Sequence, residues 1–261
     1  MARKRFGQHF LTDEAVLHRI EALVGLRADD VVLEIGPGEG ALTDCLIPAI
    51  DSALGRYVAV EIDRDLAPWV QARYQQLELI NADVLAVDLA ELMQPQVGWR
   101  VVGNLPYNIS SPLIAKLVEL SVAHPGRVAD MHFMLQREMA ARLAAEPGSK
   151  AWGRLSVVVQ LDCQVQILFD VAPDSFSPPP KVWSSVLRIT PQERAPGVVE
   201  PVDRQRLEQV LRAAFSARRK RLGNALKHFD VDWQQAGVSA DARADSLGVD
   251  EFVSLALHCE P

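Results

Sequence analysis

The sequence predicts an α/β fold: a Rossmann-like, doubly wound and mostly parallel sheet, followed by a small all-helical domain. Three observations carry this prediction. Short, near-continuous apolar runs alternate with helical stretches from residue 31 to about residue 190. A glycine-rich loop follows the first run and opens a helix. After a proline-dense segment at 191–203, the apolar residues keep helical spacing alone.

The runs are VVLEIG (31–36), YVAVEID (57–63), LELINAD (77–83), RVVGNLP (100–106) and MHFMLQ (131–136). Runs this apolar suit strands covered on both faces, as in a parallel sheet. Helices are expected between and after them at 41–50, 65–75, 112–120 and 137–145. QVQILFDV (164–171) and SSVLRIT (184–190) predict two more strands, forming an antiparallel pair at one sheet edge. They bracket APDSFSPPPKVW, whose prolines exclude a helix. PQERAPGVVEPVD (191–203) reads as a linker with three prolines. Beyond it, Leu207, Val210, Leu211, Ala214 and Phe215 share one helical face. The expected division is a first domain over 1–195 and a helical one over 200–261.

With 261 residues, 49% hydrophobic and 23% charged, the chain can build one large core and a smaller one. Charges or prolines interrupt every apolar run well short of a membrane span. The opening MARKRFGQHFL lacks the apolar stretch of a secretory leader. Cys45, Cys163 and Cys259 are odd in number and lack paired spacing. That pattern predicts reduced thiols in the cytosol, with neither a disulfide framework nor a metal site. A net charge of −7 speaks against a nucleic-acid partner. The local pattern speaks for one: Arg3, Lys4 and Arg5 open the chain, and Arg218, Arg219, Lys220 and Arg221 form an unbroken basic run. Potential at a groove, rather than total charge, steers a polyanion.

Glycines at 36, 38 and 40 let the backbone approach a ligand closely, and the helix that follows offers free N–H groups. Such a loop holds either a dinucleotide pyrophosphate or the amino-acid end of S-adenosyl-L-methionine. The second run ends in Glu61-Ile-Asp63, placing a carboxylate where ribose hydroxyls would lie. The third ends in Asn81-Ala82-Asp83, and Asp83 can accept from an adenine amine. A nicotinamide enzyme needs no such third carboxylate, nor the Asn104-Leu105-Pro106-Tyr107 that closes the fourth run. An aryl amine is a poor nucleophile because its lone pair is delocalised into the ring. The Asn104 side-chain oxygen and the Leu105 carbonyl can accept its hydrogens and draw that pair out of conjugation. Pro106 fixes the backbone and keeps the Leu105 carbonyl out of a turn. Tyr107 offers a face on which a flipped base can stack.

Taken together, RKRFGQHFL, EIGPGEGALT, VEID, NADVL, NLPYNIS, FSPPPKVWSSV and ARRKRLGNAL resemble the ribosomal RNA adenine N6-dimethyltransferase family over essentially the whole chain. The resemblance implies an S-adenosyl-L-methionine-dependent catalytic domain over 1–195 and a ribosomal-RNA-binding domain over 200–261. It assigns His9, Leu11, Gly36, Gly38, Glu61, Asp83 and Asn104 to cofactor binding. It assigns Asn104, Leu105, Pro106 and Tyr107 to the acceptor site, with Phe176 on the opposite face of the base. Arg218, Arg219, Lys220 and Arg221 are assigned to RNA phosphates, on an expected helix over 215–227. Two positions depart from the family pattern. His9 stands where many members carry Asn, and Trp183 replaces an acidic residue, a change expected to alter packing. The implied reaction dimethylates two adjacent adenosines near the 3′ end of 16S ribosomal RNA in the small subunit, with a cytoplasmic monomer as catalyst. An Erm-type enzyme acting on 23S RNA and a small-subunit assembly factor with dispensable catalysis are the alternatives. A DNA adenine methyltransferase usually carries DPPY and a separate recognition domain, so no DNA substrate is expected.

Overall fold

The five apolar runs become five strands of one sheet. The computed structural model describes residues 9–95, 97–192, 203–218 and 220–260. The first motif residues at 3–8, most of the linker and Arg219 therefore lie outside the described residues.

In chain order the elements begin with β1 (Phe10–Leu11), α1 (Glu14–Val24), β2 (Val31–Ile35), α2 (Ala41–Leu46), β3 (Arg56–Glu61) and α3 (Leu66–Arg73). They continue through β4 (Glu78–Asn81), α4 (Leu89–Leu92), β5 (Trp99–Asn104), α5 (Ser110–Ala123), β6 (Val128–Gln136) and α6 (Arg137–Leu143). Next come α7 (Arg154–Gln160), β7 (Cys163–Val171), β8 (Phe176–Ser177) and β9 (Ser184–Pro191). The chain ends with α8 (Arg204–Ser216), α9 (Leu222–Ala225), β10 (Asp230–Val231), α10 (Trp233–Ala236), α11 (Val249–Leu257) and β11 (Cys259–Glu260).

The main sheet has seven strands in the order β4-β3-β2-β5-β6-β9-β7. Strands β4, β3, β2, β5 and β6 are mutually parallel, and β9 returns antiparallel to β6. This is the predicted Rossmann-like sheet with its antiparallel edge. Its strands are near-continuous apolar runs because both faces are covered: in β2 and β3 all but the first residue are buried. Before β2, α1 is amphipathic, burying Leu17, Ile20 and Val24. Asp13 caps it by accepting from the Ala15 and Val16 N–H groups, and Gly25 ends it in the left-handed region at φ 59°.

The chain forms two compact units: residues up to Ala140 with Val165–Pro191, and Ala141–Gln164 with the chain from Gln192 onward. The second unit is thus larger than the 200–261 expected from the linker. Its apolar core explains why: Ala145, Trp152, Val157 and Leu161 belong to one buried cluster with Leu207, Val210, Leu211, Phe252 and Leu255. Arg204 fixes the same arrangement by a bidentate pair with Asp162, both bonds at 2.8 Å. Among its described residues the second unit is mainly helical, with a two-residue pairing of β10 with β11.

Candidate active site

Because β4, β3, β2 and β5 are parallel neighbours, their carboxyl ends lie along one sheet edge, where open α/β sheets bind ligands. Next to it, β1 pairs antiparallel with β8, matching Phe10 to Ser177 and Leu11 to Phe176. A cavity of about 520 Å³ opens here. Its lining includes His9, Leu11, Gly36, Gly38, Glu61, Asp83, Asn104, Leu105, Pro106, Tyr107 and Phe176. Every residue that the sequence reading places in the cofactor or acceptor site therefore meets in one hollow.

The glycine loop follows β2 with Gly36 at φ 65°, Gly38 at φ 60° and Gly40 at φ 83°. A side chain at Gly38 would come within 3.1 Å of the Phe10 ring. At Gly36 an added methyl would meet nothing within 4 Å, so the backbone there is bare toward open space. Glu61, 3% exposed, closes the loop by accepting from the Gly38 N–H at 3.0 Å and the Asp63 N–H at 2.8 Å. Burial raises its pKa against those hydrogen bonds. Asp83 is exposed and accepts from the Leu85 N–H at 2.9 Å through one oxygen.

The Asn104–Tyr107 loop is held from both sides by hydrogen bonds. The Leu105 N–H donates to the Met134 carbonyl, holding the loop to β6. The turn's own bonds, from the N–H groups of Ile109 and Ser110, converge on the Pro106 carbonyl. Among the described residues nothing donates to the Leu105 carbonyl. The Asn104 amide nitrogen donates to the His9 carbonyl at 3.0 Å, which leaves the amide oxygen as its available acceptor. The His9 ring donates through Nδ1 to the Pro178 carbonyl at 2.7 Å and lies 6.3 Å from the Tyr107 ring. His9 thus reaches the acceptor loop through its backbone, a role the departure from Asn leaves intact. Phe176 is buried, whereas Tyr107 is 37% exposed.

Sequence reasoning misses Glu34. It lies on β2 just before the glycine loop, lines the cavity and is 1% exposed. One oxygen accepts from the Thr43 and Tyr57 hydroxyls at 2.7 and 2.9 Å; the other, also buried, has no partner among the described residues. A carboxylate inside an otherwise apolar strand was the signal that could have found it. Burial pushes its pKa up to about 7 from 4.5. A buried acid with a raised pKa binds its proton more tightly folded than unfolded, so stability falls as pH rises from about 4.5 to about 7. Glu34→Gln is expected to flatten the melting temperature across pH 5 to 8, removing a slope on the order of 3 kcal/mol. A wild-type profile as flat as the variant's would refute this.

Among the described residues, five acidic side chains line the cavity, Glu34, Glu39, Asp44, Glu61 and Asp83, with no lysine or arginine. That surface attracts a cation and repels a pyrophosphate.

Of the basic run, Arg218, Lys220 and Arg221 belong to the second unit and are not on a helix. Helix α8 ends at Ser216, and Arg221 is extended, pairing with Arg243 in an isolated bridge before α9 begins. That pairing takes the backbone out of the expected helix over 215–227. Arg218 donates to the carbonyls of Lys150 and Ser149 at 2.9 and 3.0 Å. Arg221 pairs with Asp241 at 2.7 Å with both side chains well exposed, and Lys220 is exposed.

A family model described as "Ribosomal RNA adenine dimethylase" matches residues 1–260. The chain belongs to this family. It is 46% identical over 265 residues to the "Ribosomal RNA small subunit methyltransferase A" of Bordetella pertussis, covering 98% of this chain and 93% of that one. The protein of the same name from Pseudomonas aeruginosa is 45% identical over 260 residues, with coverage of 98% and 93%. Among solved structures, a dimethyladenosine transferase from Plasmodium falciparum superposes with a TM-score of 0.77 at 26% identity, covering 95% of this chain and 96% of that one. The 23S rRNA methyltransferase ErmE gives 0.70 at 26%, with coverage of 95% and 98%. The family is S-adenosyl-L-methionine-dependent. The cavity fits that donor: its carboxylates suit a cationic sulfonium, and Gly36 leaves a bare backbone beside them. No described helix is long and apolar enough to cross a membrane.

Proposed function

We propose that this chain transfers methyl groups from S-adenosyl-L-methionine to N6 of two adjacent adenosines near the 3′ end of 16S ribosomal RNA, giving N6,N6-dimethyladenosines during small-subunit biogenesis. It acts as a monomer in the cytoplasm, without DNA as substrate. The observation that carries this reading is the pair of uncommitted acceptors, the Asn104 oxygen and the Leu105 carbonyl, at the rim of an acidic cavity. The relatives that are 44–46% identical over 97–98% of the chain carry the small-subunit name, which favours 16S RNA over the 23S substrate in the ErmE title.

When bound, S-adenosyl-L-methionine supplies an electrophilic methyl carbon on a sulfonium. His9, Leu11, Gly36, Gly38, Glu61, Asp83 and Asn104 would hold it. Tyr107 and Phe176 would hold the flipped adenine between their rings. Asn104 and Leu105 accept its N6 hydrogens, localising the lone pair on nitrogen, while Pro106 keeps the loop rigid. Catalysis would come from positioning and hydrogen-bond acceptance rather than a titrating base, and the proton that N6 sheds once methylated would pass to water.

Arg218, Arg219, Lys220 and Arg221 would meet RNA phosphates. Exposed ion pairs such as Arg221–Asp241 are worth little, so Arg221 can exchange its partner for a phosphate. Lys220→Ala and Arg221→Ala are each expected to reduce the slope of log affinity against log salt by about one. Filter binding to small subunits across salt concentrations measures it, and unchanged slopes would remove these residues from the interface. For the reaction itself, unmethylated small subunits are incubated with radiolabelled donor and their RNA is analysed by mass spectrometry. Two adjacent dimethyladenosines in the 16S RNA are expected; label confined to 23S RNA, or none, would reject the assignment.

A further inference from the structure

We propose that Trp183 is a stacking platform for an unpaired base next to the target adenosine, with Arg137 and Lys181 meeting the adjoining phosphates. The proposal rests on the reading above that the substrate is ribosomal RNA. Trp183 is 46% exposed and its neighbour Val182 is 43% exposed, so much of the indole faces outward. Trp99 and Trp152, by contrast, are fully buried. The other half-exposed indole, Trp69, has the Arg73 guanidinium 5.4 Å from its ring. The Trp183 ring has no aromatic or cationic partner among the described residues.

Its position ties it to the acceptor loop. Strands β6 and β9 pair Gln136 with Ser184, and the Arg137 N–H donates to the Trp183 carbonyl at 2.9 Å. Strand β6 also pairs with β5, matching Met134 to Asn104, so Gln136 and its partner Ser184 follow two residues on. Trp183 therefore sits next to the end of β9 that lies at the same sheet edge as Asn104. Cations accompany it. Arg137 is 61% exposed and only loosely paired to Asp170 at 3.9 Å. Lys181, in the same loop, is exposed. An exposed aromatic side chain at the sheet edge that carries Asn104, with exposed cations at Lys181 and Arg137 on the flanking segments, suits a single-stranded nucleic acid.

The test uses the full chain, saturating donor and unmethylated small ribosomal subunits. Trp183→Ala should raise KM for subunits roughly tenfold, since stacking of one base on an aromatic side chain contributes about that much affinity or more. Turnover and donor affinity should stay at wild-type values, and Trp183→Phe should recover most of the loss. A KM for Trp183→Ala within twofold of wild type overturns the platform. Should the wild-type enzyme leave the subunits unmethylated, the reading of function fails instead. A second arm then decides the platform alone: in a Trp69→Phe background, single-stranded oligoadenylate should quench the indole fluorescence, and Trp183→Phe should abolish that quench. Unquenched emission, or a quench that survives Trp183→Phe, overturns it.

Discussion

Asn104→Ala is expected to lower the single-turnover rate of methyl transfer by about a hundredfold or more, with donor affinity weakened but measurable. Removing one preorganised hydrogen-bonding group from a reacting centre typically has that size of effect. Here the loss is double. The alanine deletes the oxygen that accepts from N6, and it deletes the amide N–H that binds the His9 carbonyl at 3.0 Å. The two halves can be separated. Asn104→Asp keeps an oxygen but sets a carboxylate against the His9 carbonyl, so it too should be strongly impaired. Calorimetry for donor binding and rapid-quench transfer of labelled methyl give the two readouts. Transfer by Asn104→Ala within threefold of wild type would sink the acceptor assignment.

The largest stability effect is expected at the other end of the sheet. Arg100, at the start of β5, donates to both oxygens of Asp130 at 3.0 and 2.7 Å and to Asp30 at 3.1 Å. It also donates to the carbonyls of Val24 and Gly25 at the end of α1, at 2.7 and 3.2 Å. Arg100→Leu strands two carboxylates and two carbonyls. About 3 kcal/mol should be lost, the low end for breaking a buried pair, because the three charged side chains keep 14 to 19% of their surface. Burial raises the Asp130 pKa, but His132, 3.5 Å away, and Arg100 outweigh it and hold the carboxyl at about 2. A depressed carboxylate stabilises the fold above its ordinary pKa near 4, and that stability is lost as pH falls toward 2. Arg100→Leu should therefore unfold at higher pH on the acid side, with Asp130→Asn in the same chain recovering part of the loss. Urea unfolding at pH 7 and acid titration by circular dichroism measure both. An unchanged urea midpoint would show the network to be dispensable.

How much of this was legible follows from what each signal encodes. Strands β2, β3, β5 and β6 were readable because burial on both faces writes an apolar run, whereas β4, at the sheet edge, has no buried residue. The acceptor loop was readable because Asn-Leu-Pro-Tyr carries its own geometry. Helix α1 escaped the reading although Leu17, Ile20 and Val24 keep helical spacing, since the motif residues before it drew the interpretation. The second unit was read too short because prolines mark the chain's later entry into it, whereas Trp152, Val157 and Leu161 find their core only in three dimensions. Glu34 was opaque for a similar reason: its partner Tyr57 lies 23 residues away, on the next strand. The helix over 215–227 came with the family resemblance, and the bridge from Arg221 to Arg243 replaces it at Arg221.

In the proposed role, the loop sets two acceptors, the Asn104 oxygen and the Leu105 carbonyl, against the amine of the bound base. A purine bearing a keto group there would press lone pairs against lone pairs, so guanosine is turned away by repulsion. A singly methylated amine still has one hydrogen to give, and is kept for a second round. The finished dimethylamine has none, and the same two atoms that captured the base let it go.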